Sequence, residues 1–127
     1  MARKLGIKDG SSVCVVGAPE KYLSLLAPLP SDVQIGSRLT ATTDIVQIFT
    51  TRKEELERFL AKCRGKLKSS GMIWVSWPKK AAKLPTDISE DTIREVALPL
   101  GFVDIKVCAV DEVWSGLKLV IRKELRR

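Results

Sequence analysis

Apolar positions fall into two patterns along this chain, short contiguous runs and stripes spaced three and four residues apart. The runs read as strands. Val13 to Val16 is apolar throughout, as in a strand buried on both faces of a parallel sheet. Val33 to Ile35 gives a second, short strand, and Ile45 to Phe49, led by Asp44, a third. Met72 to Trp77 is apolar except for Ser76 and gives a fourth. Phe102 to Val110 and Leu117 to Arg122 are the last two. They mix Lys106, Lys118 and Arg122 with apolar residues, which suits an antiparallel edge with one partly solvated face. Asp111 to Gly116 between them is short enough for a hairpin loop. Leu5 to Ser11 is a lead-in that turns at Asp9-Gly10, and Gly36 to Thr43 is a mostly polar loop.

The stripes read as helices. Pro19 suits the first position of a short helix whose apolar side is Tyr22, Leu23 and Leu26, closed by Pro28 and Pro30. Leu56, Phe59, Leu60, Cys63 and Leu67 share one face of a longer helix. Thr51 and Glu54 have capping-box spacing at its start, Lys62, Arg64, Lys66 and Lys68 favour its C-terminal dipole, and Gly71 is the expected left-handed stop. A third helix starts at a Ser89 cap with Glu90 and Asp91 in its first turn. It turns Ile93, Val96 and Ala97 inward and closes at Pro99 and Gly101. Strands alternating with helices predict an α/β fold, a three-layer Rossmann-like domain over residues 1–127 with a mostly parallel six-stranded sheet and a C-terminal antiparallel hairpin.

Composition narrows the chemistry. The 127 residues are 45% apolar and 29% charged, ordinary for a soluble globular chain. No apolar run has the length of a membrane span and no signal-peptide pattern is present, so the expected location is cytoplasmic, with no membrane partner. Cys14, Cys63 and Cys108 are odd in number and widely spaced, so they read as buried small hydrophobes rather than a disulfide framework. The chain contains no histidine, which excludes Ser-His-Asp and Cys-His catalysis and leaves a zinc site almost without ligands. The net charge of +7 favours anionic partners. Its clusters, Arg3-Lys4, Lys79-Lys80-Lys83 and Arg122 to Arg127, match no recognised nucleic-acid motif.

The stretch Ser12 to Glu20 runs a strand into Gly17, where a nucleotide-binding α/β protein carries a glycine-rich loop. Here one glycine stands alone, and Pro19 removes an N–H. Ile35 is followed by Gly36-Ser37-Arg38, without the acid that holds a ribose. The crevice at the strand ends survives as topology. Its candidate lining is Gly17, Ala18 and Pro19, with Thr50, Thr51 and Arg52 and with Trp77, Lys79 and Lys80. With Arg38 converging, the start of the long helix is a candidate site for a small anion. Trp74 and Trp77, three apart in a strand, point to opposite sheet faces. Trp114, placed in the hairpin loop, is a candidate contact for a partner protein or a second copy of the chain. Asp111 and Glu112 read as solvated turn residues.

The element order resembles the class I S-adenosylmethionine-dependent methyltransferase fold. Leu5-Gly6-Ile7-Lys8-Asp9-Gly10-Ser11-Ser12-Val13 is similar to the lead into that family's first strand, Leu67 to Val75 to its turn into the fifth, and Gly101-Phe102-Val103 to its C-terminal part. The resemblance implies strand order 2-1-3-4-6-5 and a strand with its helices missing between Ile35 and Asp44. The whole chain is also similar to a group of small bacterial proteins of unknown function that share Ala18-Pro19-Glu20, Trp74 to Lys80 and Trp114 to Lys118. Together these imply a degenerate, non-catalytic methyltransferase-like domain that holds no cofactor and binds a protein or small anion. Two alternatives stay open: a small enzyme that binds a nucleotide or S-adenosylmethionine, and a basic nucleic-acid-associated protein.

Overall fold

The computed structural model describes residues 2–20 and 22–126. The side chains of Arg3 and Leu23, and Arg127 of the terminal basic cluster, lie outside the described residues and side chains. The elements are α1 (Ala2–Leu5), β1 (Ser12–Val16), α2 (Tyr22–Leu26), β2 (Gln34–Gly36), β3 (Ile45–Phe49), α3 (Lys53–Lys66), β4 (Met72–Pro78), α4 (Glu90–Leu100), β5 (Phe102–Ala109) and β6 (Trp114–Ile121). The single 3-10 turns Lys80–Ala82 and Lys123–Leu125 complete them.

One six-stranded sheet has the order β2-β1-β3-β4-β6-β5, the order that the resemblance implied. β1 runs parallel to β2 and β3, and β3 to β4. β6 is antiparallel to both β4 and β5, so the C-terminal hairpin inserts its second strand beside the middle of the sheet. All of β3 is buried, as is nearly all of β4, which explains their unbroken apolar runs.

α3 and α4 cover one face. Leu56, Leu60, Cys63, Ile93 and Val96 pack there against Val46, Ile48, Ile73, Val75, Trp77 and Leu117. The short helices α1 and α2 cover part of the other, where Leu5, Tyr22 and Leu26 meet Val13, Ile45, Phe49 and Trp74. Trp74 and Trp77 do face opposite sides. Trp74 is fully buried and its indole N–H donates to the Leu5 carbonyl at 2.9 Å, tying α1 to the sheet. At the N-terminal end of β3, Asp44 accepts from the Ser12 N–H at 2.8 Å and pairs with Lys68. Partial burial opposes its ionised form, but Lys68 and the Ser12 N–H prevail and hold its pKa below the ordinary aspartate value.

Four details differ from the sequence reading. α3 starts at Lys53 with Arg52 as N-cap and no side-chain cap, so Thr51 and Glu54 form no capping box. Its last helical residue is Lys66. Gly71 is required not for a left-handed turn but because a Cβ there would lie 2.6 Å from Leu67 Cγ. α4 continues through Pro99 to Leu100 before Gly101 closes it at φ 100°. Trp114 is the first residue of β6, opposite Pro78, rather than a loop residue. The Asp111 carboxylate draws it into the ladder by accepting from the N–H groups of Val113 at 2.8 Å and Trp114 at 2.7 Å. The Ser89 cap is present, accepting from the Thr92 N–H. β5, at one edge, carries a register shift between Asp104 and Lys106 that leaves Ile105 53% exposed. No helix among the described residues is long and apolar enough to cross a membrane.

Candidate functional site

The C-terminal ends of β1, β2, β3 and β4 lie along one side of the sheet, where open α/β sheets place their ligand crevice. The chain leaves β1 through Gly17 at φ +71°, a left-handed conformation. A Cβ on Gly17 would sit 2.6 Å from the Phe49 carbonyl oxygen, so this glycine lets β1 and the end of β3 approach each other. The Phe49 ring stands edge-on between Tyr22 at 4.8 Å and Trp114 at 5.1 Å. Trp114 is half-buried by this contact, and Ala18 packs against the same cluster.

The start of α3 is already furnished with partners. The Thr50 hydroxyl donates to the Glu55 carboxylate at 3.1 Å and accepts from the Arg52 N–H at 3.3 Å. Asp87 reaches across from the β4–α4 connection and accepts from the Lys53 N–H at 2.6 Å. Its own N–H and the Thr86 hydroxyl both donate to the Thr51 carbonyl, at 3.2 and 2.8 Å. The positive end of the helix dipole therefore faces a carboxylate supplied by the protein itself. Replacing Asp87 by alanine is expected to cost about 1–2 kcal/mol. Added sulfate should restore part of the loss by taking the vacated place, a gain that a thermal melt reads in the variant and not in the parent.

Lys79 is committed as well. Its ammonium donates to the Asp111 carbonyl at 2.6 Å and its N–H to the Val113 carbonyl at 2.8 Å, which pins the hairpin loop to the end of β4. Trp77, Lys79 and Lys80 line an open hollow of about 720 Å³, together with Leu84, Ile88 and Asp87. Trp77 is 8% exposed there and mostly belongs to the core. Gly17, Ala18, Arg38, Thr50, Thr51 and Arg52 do not line that hollow, but Thr86 and Asp87, which do, join it to the start of α3 through their bonds to Thr51 and Lys53. Arg38 and Lys80 are exposed.

The groups with perturbed protonation here are buried and inert. Burial pushes the Cys63 thiol up to about 12, raises Cys14, and lifts the Tyr22 phenol above its ordinary range. Cys14 and Cys63 are buried as expected, whereas Cys108 is half-exposed. Among the described residues no group of three or more Cys, Asp or Glu could hold a metal ion. Sequence reasoning missed Asp87 and Phe49. Asp87 sits in a loop and gives no signal of reaching Lys53, and Phe49 reads simply as the end of an apolar run. It also missed the pair in which the buried Gln47 amide donates to Ser76; two polar residues inside apolar strands were the available signal.

Solved structures similar in fold include a protein of Sulfolobus solfataricus assigned to the type 11 methyltransferases. It is 12% identical with a TM-score of 0.71, the match covering all of this chain and 92% of that one. A SAM dependent methyltransferase from Aquifex aeolicus is 17% identical with a TM-score of 0.65 over 94% of this chain and 87% of its own. A TehB-like SAM-dependent methyltransferase from Corynebacterium glutamicum is 11% identical with a TM-score of 0.59 over 90% and 82%. At such identities the likeness is one of fold, and the fold is methyltransferase-like. No curated protein matches the chain. A family model described as "Protein of unknown function (DUF3052)" matches residues 32–123, most of the chain including β2 to β6, and the protein belongs to that family.

Proposed function

We propose that this protein is a methyltransferase-like domain that acts by binding a partner protein and carries out no methyl transfer. The observation that carries the reading is that the protein supplies its own partners at the start of α3 and behind Gly17. Asp87 fills the helix start at Lys53 and Gly17 is backed onto the Phe49 carbonyl. Two further features support it. Pro19 offers no N–H after β1, and no acid follows β2, where Gly36 leads into Ser37 and Arg38. These residues do not fit S-adenosylmethionine held as a dinucleotide-type ligand is held at such a crevice.

Isothermal calorimetry and thermal shift with S-adenosylmethionine and S-adenosylhomocysteine test the reading. The expected result is no heat of binding and no rise in Tm at millimolar ligand. A micromolar Kd with the corresponding rise of several degrees overturns it.

A further inference from the structure

The two faces of the sheet are unequally covered. Towards α3 and α4, the β6 residues Leu117, Leu119 and Ile121 are buried. On the opposite face the intervening Lys118 and Val120 are only half-buried: the short α1 is anchored over Trp74 and reaches β5 through the Lys4 side chain at Ala109.

That exposed face carries two adjacent rows. Met72, Val120 and Val103 stand opposite one another across β4, β6 and β5 and are all half-buried. One step along the strands, Trp74 stands opposite Lys118, and Lys118 opposite Lys106. Two lysines directly facing each other across an antiparallel pair repel. The Lys106 ammonium lies 5.9 Å from the Trp74 ring centroid, a modest compensation. Lys8 adds a further positive charge. Burial, with Lys106 and Lys8 close by, holds the Lys118 pKa below the ordinary lysine value. The Lys4 ammonium, bonded to the Ala109 carbonyl at 3.1 Å, continues the cationic row along β5. Among the described residues no carboxylate forms an ion pair with any of these four lysines.

We propose that this half-covered face of β5 and β6 docks an acidic amphipathic helix of a partner protein. Its apolar stripe would lie on Met72, Val120 and Val103 and its carboxylates over Lys118, Lys106 and Lys8. The inference rests on the protein-binding reading above and names its surface. The pairing of an apolar row with a cationic row selects this occupant: an amphipathic helix has both stripes, and helices already cover the other face in the same way. A nucleic acid would leave the apolar row unused. The patch also lacks the exposed stacking platform that single-stranded nucleic acids favour, since Trp74 is fully buried.

The test uses a fluorescein-labelled helical peptide of about five turns, with a leucine stripe flanked by glutamates, in fluorescence anisotropy against the whole chain. Binding at micromolar Kd is expected, weakened at least about tenfold in Lys106→Glu/Lys118→Glu. Lys118→Met separates function from folding. It removes a repelled, desolvated charge, so its Tm is expected to rise by about 2–4 °C while peptide affinity falls. Amide chemical shifts on titration should move at Lys106, Lys118 and Val120. Absence of peptide binding, undiminished affinity in the double variant, or an oligonucleotide of equal charge binding as tightly as the peptide overturns the proposal. Peptide binding with shifts confined to Gly17 and Thr50 overturns this surface while leaving the protein-binding reading intact. Binding of S-adenosylmethionine in the previous test would remove that reading itself.

Discussion

Gly17→Ala is expected to destabilise the protein by about 2–4 kcal/mol, lowering Tm by about ten degrees. Two costs combine. A residue with a Cβ at φ +71° loses about 1–2 kcal/mol of conformational energy. The new methyl would also meet the Phe49 carbonyl at 2.6 Å, and that oxygen belongs to backbone in the middle of the sheet, not to a side chain able to swing aside. Gly36→Ala is the control: nothing lies within 4 Å of its Cβ position, and its φ is not in the left-handed range, so the change should be nearly silent. Were Gly17 present to admit a ligand, its replacement would abolish binding and spare stability. The structure calls for the reverse, and urea denaturation of both variants distinguishes the two.

Trp74→Ala should be the most damaging single substitution, costing about 3–5 kcal/mol. That is a large share of the stability of a domain this size. The ring is fully buried at the centre of the less covered face, where a Cβ on Gly116 would lie 3.3 Å from it. Its N–H is also the tie that holds α1 by the Leu5 carbonyl. Trp74→Phe keeps most of the packing but leaves that carbonyl without its donor, so a smaller loss of about 1–2 kcal/mol is expected. Urea midpoints should fall in that order, with an unchanged m-value if the denatured state is unaffected.

The strands were legible because burial on both faces of a parallel sheet leaves a mark that survives in one dimension. Ile45 to Phe49 and Met72 to Trp77 could hardly be anything else. The Ser89 cap was legible because a cap acts over three residues. The arrangement around the crevice was not, because it depends on contacts between residues far apart in the chain. Asp87 acts 34 positions from Lys53, and Lys79 acts 32 from Asp111. Thr51 had the spacing of a cap, but spacing cannot register that a distant carboxylate serves the helix better. Trp114 enters β6 ahead of the apolar run that marks the strand in sequence, because the turn that sets its register is made by the Asp111 side chain, not by a glycine or proline. Lys118 and Lys106 were visible as charges within strands. Only strand pairing places them opposite each other.

The irregularity between Asp104 and Lys106 has a bearing on how the molecule behaves in a crowd. β5 is an eight-residue edge strand with Ile105 and Val107 exposed, the kind of border onto which a neighbouring chain could add its own strand and begin a fibre. A bulge bends such a border away from straight pairing, and Lys106 beside it sets a charge where a second copy would bring another. Straightening β5 by deleting Ile105 would thus be expected to convert a self-terminating sheet into one prone to polymerise.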